Sequence, residues 1–158
     1  QRLPPPGPPA LPGGGEPAPD ILGKTRDGDR PKLADFSGKV LVLSFWATWC
    51  KYCLKELPIL EGIQKVGGEQ VQVIAINTED LDVFRGVAAA LKTLSMKLTY
   101  DPGEKGKAAY GVKGIPHLVI IGRDGKIVEV YRGYSADSLP GIVDAINLAI
   151  ATPAPPAP

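Results

Sequence analysis

Val40-Leu41-Val42-Leu43-Ser44-Phe45-Trp46-Ala47-Thr48-Trp49-Cys50-Lys51-Tyr52-Cys53 is the stretch whose reading decides the fold. Its first eight residues are apolar apart from Ser44, as in a strand of a parallel sheet buried on both faces. From Lys51 onward the apolar spacing becomes helical, so Cys50 falls at a strand-to-helix turn. Unpaired N–H groups and the positive end of the helix dipole favour a thiolate there, which makes the first sulfur nucleophilic near neutral pH. Cys50 and Cys53 are the only cysteines in the chain. Tetrahedral zinc would need a second ligand pair, and a bridge across two residues removes little unfolded-state entropy. The pair is therefore read as a dithiol that opens and closes.

Composition bounds the rest. With 158 residues, 44% of them hydrophobic, the chain can bury one core, and a single domain is expected. A net charge of +1 and scattered lysines give no basic stripe, so nucleic-acid binding is not expected. No apolar run is long enough to cross a bilayer, and no charged-then-apolar leader opens the chain. Because it begins at Gln1 without a methionine, a leader or anchor is expected to have been removed.

Of 17 prolines, eight fall in residues 1–19 and four after Ala151. Residues 1–19 therefore read as a Pro/Gly-rich disordered linker, 20–150 as the folded domain and 151–158 as a Pro/Ala-rich disordered tail. The first segment suits a tether to a membrane anchor outside the given chain. An inert mobile terminus has the same composition.

Inside the body, strands and helices alternate. Residues 21–32, centred on Asp27-Gly28, read as a short β-hairpin. The helix after the cysteines carries Leu57, Leu60 and Ile63, with Pro58 kinking or ending it; the apolar spacing beyond favours a kink. Strands follow at 71–76, 97–100, 118–121 and 127–131, the last two joined by the Asp124-Gly125 turn. Val83, Phe84, Val87, Ala88 and Leu91 mark a second helix, and Leu139, Ile142, Val143, Ile146 and Ile150 a last one. This order implies an α/β fold with a mixed central sheet covered on both faces.

Phe45-Trp46-Ala47-Thr48-Trp49-Cys50, the CxxC, Pro58 and Gly114-Ile115-Pro116 before a strand together resemble the thioredoxin superfamily. Asp20, Gly38-Lys39, Glu56 and Pro58 in CxxCxxExP, a helix and strand inserted between Asn77 and Tyr100, Tyr110-Gly111-Val112 and Asp124-Gly125-Lys126-Ile127 are similar to its extracytoplasmic ResA/TlpA-like branch. The likeness runs from Asp20 to about Ile150. It implies a thioredoxin fold with an N-terminal β-hairpin extension and a central αβ insertion.

It also implies roles. Cys50, exposed at the helix start, attacks a partner's disulfide, and Cys53 resolves the mixed disulfide. Trp49, Ile115 and Pro116 contact the substrate, Pro116 as the cis-proline whose loop lies against the CxxC. Glu56, three residues after Cys53 on the same helical face, resembles an acid-base glutamate serving that cysteine. Taken by itself it would read as a solvated glutamate early in a helix. Ser44 stands where cytoplasmic thioredoxins carry a buried aspartate, which makes Glu56 the substitute.

The departures are Tyr52, where many relatives have proline, Lys51 beside the nucleophile, and His117, where threonine is frequent. Lys51 should favour the Cys50 thiolate and an ionised Glu56 oppose it. His117 either tunes or bridges the thiols or is an ordinary polar residue opening a strand. A copper-binding module using Cys50, Cys53 and His117 is the competing function, although copper-delivery relatives space their cysteines wider and only Met96 is present. Peroxidase chemistry fits poorly, because Leu43 and Ala47 stand where peroxiredoxins have proline and threonine.

The expectation is thus a monomeric extracytoplasmic thiol-disulfide oxidoreductase acting on protein disulfides, as a reductant, in the manner of cytochrome c maturation. It needs no metal and no cofactor beyond the Cys50–Cys53 disulfide itself, and a membrane thiol donor renews it.

Overall fold

Val40–Trp46 forms β1, and all seven residues are buried because both faces of this central strand are covered. The protein is described by a computed structural model over residues 14–154. Lys51–Gly67 is α1, Val71–Asn77 β2, Leu81–Ala90 α2 and Lys97–Tyr100 β3. Lys105–Ala109 is α3, His117–Ile121 β4, Ile127–Arg132 β5 and Leu139–Ala151 α4. The sheet order is β3-β2-β1-β4-β5, with β1, β2 and β3 parallel and β4 and β5 antiparallel to their neighbours. The mixed sheet and the inserted α2–β3 unit are as the sequence implied.

Because side chains alternate along a strand, β1 feeds two cores. Val40, Val42 and Trp46 pack with Leu57 and Leu60 of α1 and Ile142 and Ile146 of α4. Leu41, Leu43 and Phe45 face the other way, toward Leu22, Tyr110 and Val112. Ser44 therefore points to the α1 side. The α1 helix continues through Pro58 rather than ending there, although proline supplies no N–H to the ladder. Asp80 starts α2 as an N-cap, its carboxylate accepting from Val83 N at 3.0 Å.

Two sequence expectations change. The hairpin at 21–32 survives only as a turn, closed by Thr25 N donating to Asp29 O at 2.8 Å. Its first arm pairs elsewhere: Lys24 and Tyr100 exchange backbone hydrogen bonds of 2.9 and 3.0 Å. The second arm, with Arg30 and Pro31, lacks strand alternation, and the edge of β3 offers unpaired groups that the first arm takes instead.

The linker boundary at residue 19 also moves. Gly15 N donates to Ile127 O, Ile127 N to Glu16 O and Ala18 N to Gly125 O, all within 2.9 Å, while Tyr110 Oη reaches Pro19 O at 2.6 Å. Proline and glycine do not prevent docking where a strand edge supplies the partners. Residues 1–13 and 155–158, the rest of the expected linker and tail, lie outside the described residues.

Candidate active site

The turn after β1 is built to present one sulfur at a helix start. Cys50 N donates to Ala47 O at 3.1 Å, and Cys50 is the N-cap of α1, its Sγ accepting from Cys53 N at 3.2 Å. Leu54 N closes the first helical bond to Cys50 O at 3.1 Å. Cys50 and Cys53 are joined in a disulfide, their Cα atoms 5.2 Å apart. The N-terminal turn contains no acidic residue, so the dipole's positive end is left to the sulfur.

The exposure expected of Cys50 is not found: it is 6% accessible, against 1% for Cys53. Both belong to the core on the α1 face, against which Ile115 also packs. Cys50 is only the more reachable of the two, its Sγ engaged by Cys53 through both the disulfide and the Cys53 N–H. The surface around it is apolar instead, with Trp49 73% and Tyr52 54% exposed. Tyr52 stacks on Tyr134 at 6.1 Å between ring centroids, and Lys55 Nζ sits 5.3 Å from the Tyr52 ring centre. Lys51 is exposed.

Behind the disulfide, Glu56 is buried, one turn along α1 from Cys53 and on the same face. Ser44 Oγ donates to its Oε1 at 3.1 Å. Burial pushes the Glu56 carboxyl up from 4.5 to about 7, partly offset by the Ser44 hydroxyl. A group at that value gains and loses a proton near neutral pH, as a general acid-base should. The solvated glutamate that its sequence position alone suggested is not what the fold makes.

The Ile115–Pro116 peptide bond is cis, and Pro116 O accepts from Gly133 N at 2.8 Å. His117, next along, does not join the thiols. It pairs in register with Phe45 and packs edge-on to that ring at 6.0 Å, on the sheet face opposite α1. The alternation that sends Leu118 toward the cysteines sends His117 away. Its Nε2 is buried without a hydrogen-bond partner, and burial, then the Arg132 charge, pull its pKa from 6.5 to about 4. Among the described residues, no three His, Cys, Asp or Glu side chains are grouped to hold a metal ion. The copper set of Cys50, Cys53 and His117 is therefore not assembled.

One site element escaped the sequence. Glu79, just after β2, accepts from Thr48 N at 2.6 Å, Thr48 Oγ1 at 2.7 Å and Asn77 Nδ2 at 3.1 Å. Glu79 N in turn donates to Asn77 Oδ1 at 2.8 Å. This fixes residues 47–49, from which Cys50 is suspended. The signal was faint: two polar residues, Asn77 and Glu79, separated only by Thr78 at the carboxyl end of a buried strand, where α/β sheets place functional groups.

A family model described as Redoxin matches residues 14–146. The thiol-disulfide oxidoreductase ResA of Bacillus anthracis is 33% identical over 120 residues, 75% of this chain and 69% of that one. A crystal structure of a candidate thiol:disulfide interchange protein DsbE from Chlorobium tepidum superposes with a TM-score of 0.76 at 28% identity, over 89% of this chain and 99% of the other. The exposed lipoprotein thioredoxin Etrx1 of Streptococcus pneumoniae strain TIGR4 gives a TM-score of 0.66 at 28% identity, over 81% of this chain and 95% of its own.

Proposed function

The chain belongs to the Redoxin family and is a thiol-disulfide oxidoreductase of thioredoxin fold, and from that premise we propose that it reduces protein disulfides through Cys50, Cys53 and Glu56. The observation that carries this reading is the Cys50–Cys53 disulfide at the α1 N-terminus with the buried Glu56 one turn below it.

In the reduced state the Cys50 thiolate, favoured by the helix N-terminus, attacks one sulfur of a client disulfide and expels the other as a thiolate. The Cys53 thiol passes its proton to the Glu56 carboxylate and attacks Cys50 Sγ. The second client thiolate leaves, the Cys50–Cys53 bond closes, and two electrons have moved from protein to client. No metal or organic cofactor takes part. Trp49, Ile115 and the cis Pro116 flank the client, while Lys51 and Tyr52 shape the mouth of the site.

We place the protein outside the cytoplasm, working as a monomer, with a membrane thiol donor restoring its dithiol and with clients in cytochrome c maturation. The resemblance to the ResA/TlpA-like branch supports this, as does likeness to an exposed lipoprotein thioredoxin. Among the described residues no helix is long and apolar enough to cross a membrane.

The test is trapping. Cys53→Ala should accumulate mixed disulfides with client proteins on non-reducing gels and Cys50→Ala should not; equal trapping by both would refute the assigned roles. The redox potential of the pair decides direction, a value near that of strong oxidants reversing it.

A further inference from the structure

An open apolar groove of about 500 Å³ runs between α1 and α2, lined by Leu54, Leu57 and Pro58 on one side and by Val87, Leu91 and Leu94 on the other. It begins at the disulfide's own rim. Leu54 follows Cys53 directly and is 48% exposed, and Thr48, which also lines the groove, is the residue that Glu79 holds two positions before Cys50.

Two of the polar side chains in the groove are already committed, while the indole of Trp46, which also lines it, keeps its Nε1 buried and without a hydrogen-bond partner. The Glu61 carboxylate accepts from Ser95 N and Met96 N at 2.8–3.0 Å, and Thr48 gives both its N–H and its hydroxyl to Glu79. The rest of the wall is apolar and Trp46 Nε1 is sealed from solvent, so the groove suits an apolar side chain better than a polar one. The exchange reaction supplies a polypeptide near here, because the client's cysteine is held at Cys50, close in the chain to Thr48 and Leu54 of the groove, while the mixed disulfide lasts.

We infer that this groove is a specificity subsite that takes a bulky apolar side chain lying near the reactive cysteine of the client. The inference rests on the oxidoreductase reading and extends it from reaction to substrate class. One wall is α2, so the unit inserted between β2 and β3 selects clients as well as widening the sheet.

The test uses pre-reduced full-length protein, freed of reductant, in single turnovers against synthetic cysteine peptides held as mixed disulfides with glutathione. Leucine or glycine is placed at successive positions either side of the cysteine. At one or more positions leucine should raise the second-order rate constant about tenfold over glycine, as burial of one aliphatic side chain allows. Ala90→Lys, on the exposed last turn of α2 at the groove's mouth, should erase that preference and leave the rate with hydroxyethyl disulfide unchanged. Leu54→Asn is the second variant, altering the opposite wall.

Equal rates for leucine and glycine at every position, beside normal reaction with hydroxyethyl disulfide, would overturn the subsite alone. A preference untouched by both variants would do the same. Absence of reaction with every disulfide would overturn the oxidoreductase reading, and the subsite with it. Sedimentation showing self-association that Ala90→Lys abolishes, with no leucine preference, would give the groove to a second copy of the chain instead.

Discussion

Ser44 Oγ, on the central strand, donates a 3.1 Å hydrogen bond to Glu56 Oε1, on the helix that carries both cysteines. The hydroxyl stabilises the charged carboxylate and so works against the burial that lifts Glu56 to about 7. Ser44→Ala removes this donor from a buried acceptor. The pH at which exchange with a model disulfide turns over should move upward, whereas Glu56→Gln should remove the inflection near neutrality. Stopped-flow rates from pH 5 to about 9 check both, and identical profiles for the two variants and the parent would remove Glu56 from the proton path.

Stability carries two opposed pH dependences. Between 4.5 and about 7 the native state keeps a proton on Glu56 that the unfolded chain releases, so this group's contribution falls as pH rises. Between 6.5 and about 4 the unfolded chain takes a proton on His117 that the native state refuses, so this contribution falls as pH drops. In the shared window the slopes cancel. Glu56→Gln leaves the His117 slope, and stability should then rise with pH up to about 6.5. His117→Phe leaves the Glu56 slope and should reverse that sign. Each slope is at most about 1.4 kcal/mol per pH unit, the value for one proton. Urea midpoints of the oxidised proteins across pH 4 to about 8 measure them, and parallel curves would disprove the assignment.

Glu79 holds Thr48 twice and Asn77 once, so Glu79→Ala strands three donors next to the nucleophile's turn. The expected loss is about 2–4 kcal/mol, since hydrogen bonds to a charged partner contribute roughly 1.5–3 kcal/mol each and do not add fully. Glu79→Gln keeps a carbonyl for Thr48 N and should lose less than half as much. Chemical denaturation tests the ranking. Equal losses would mean that the negative charge, not the geometry, does the holding.

Gly23 has φ +85°, and a Cβ there would lie 2.6 Å from Tyr100 O and against Thr99 Oγ1. Thr99 Oγ1 is itself fixed by donating to Leu22 O at 2.8 Å. Gly23→Ala meets both a backbone penalty and overpacking, so roughly 2–4 kcal/mol should be lost. Thermal unfolding shows it, and an unchanged midpoint would mean that the segment before Gly23 is not docked in solution.

What could be read in the chain was whatever local pattern dictates. The unbroken apolar run of β1, the helical spacing after Cys50 and the Asp124-Gly125 turn placed the sheet's centre, α1 and the β4–β5 hairpin. Glu56 was legible only through the resemblance, because a helix-turn spacing from Cys53 places it on the same face without telling a buried carboxylate from a solvated one. The α3 helix was not, since Lys105–Ala109 is too short to show a period and begins after Glu104 in the left-handed region at φ 56°. Glu79 was hidden because its partner Thr48 lies 31 residues away in sequence. His117 allowed two readings, a residue near the thiols or a polar residue opening a strand, and the structure has it opening β4: one step along a strand reverses the face, and parity outweighs adjacency to Pro116.

Residues 14–24 close both outer strands of the sheet, pairing with Ile127 of β5 at one margin and with Tyr100 of β3 at the other. Unpaired strand margins can pair with extended chains and build sheets between molecules. With each margin already stapled at one end by its own amino-terminal segment, this sheet is a poor template for aggregation.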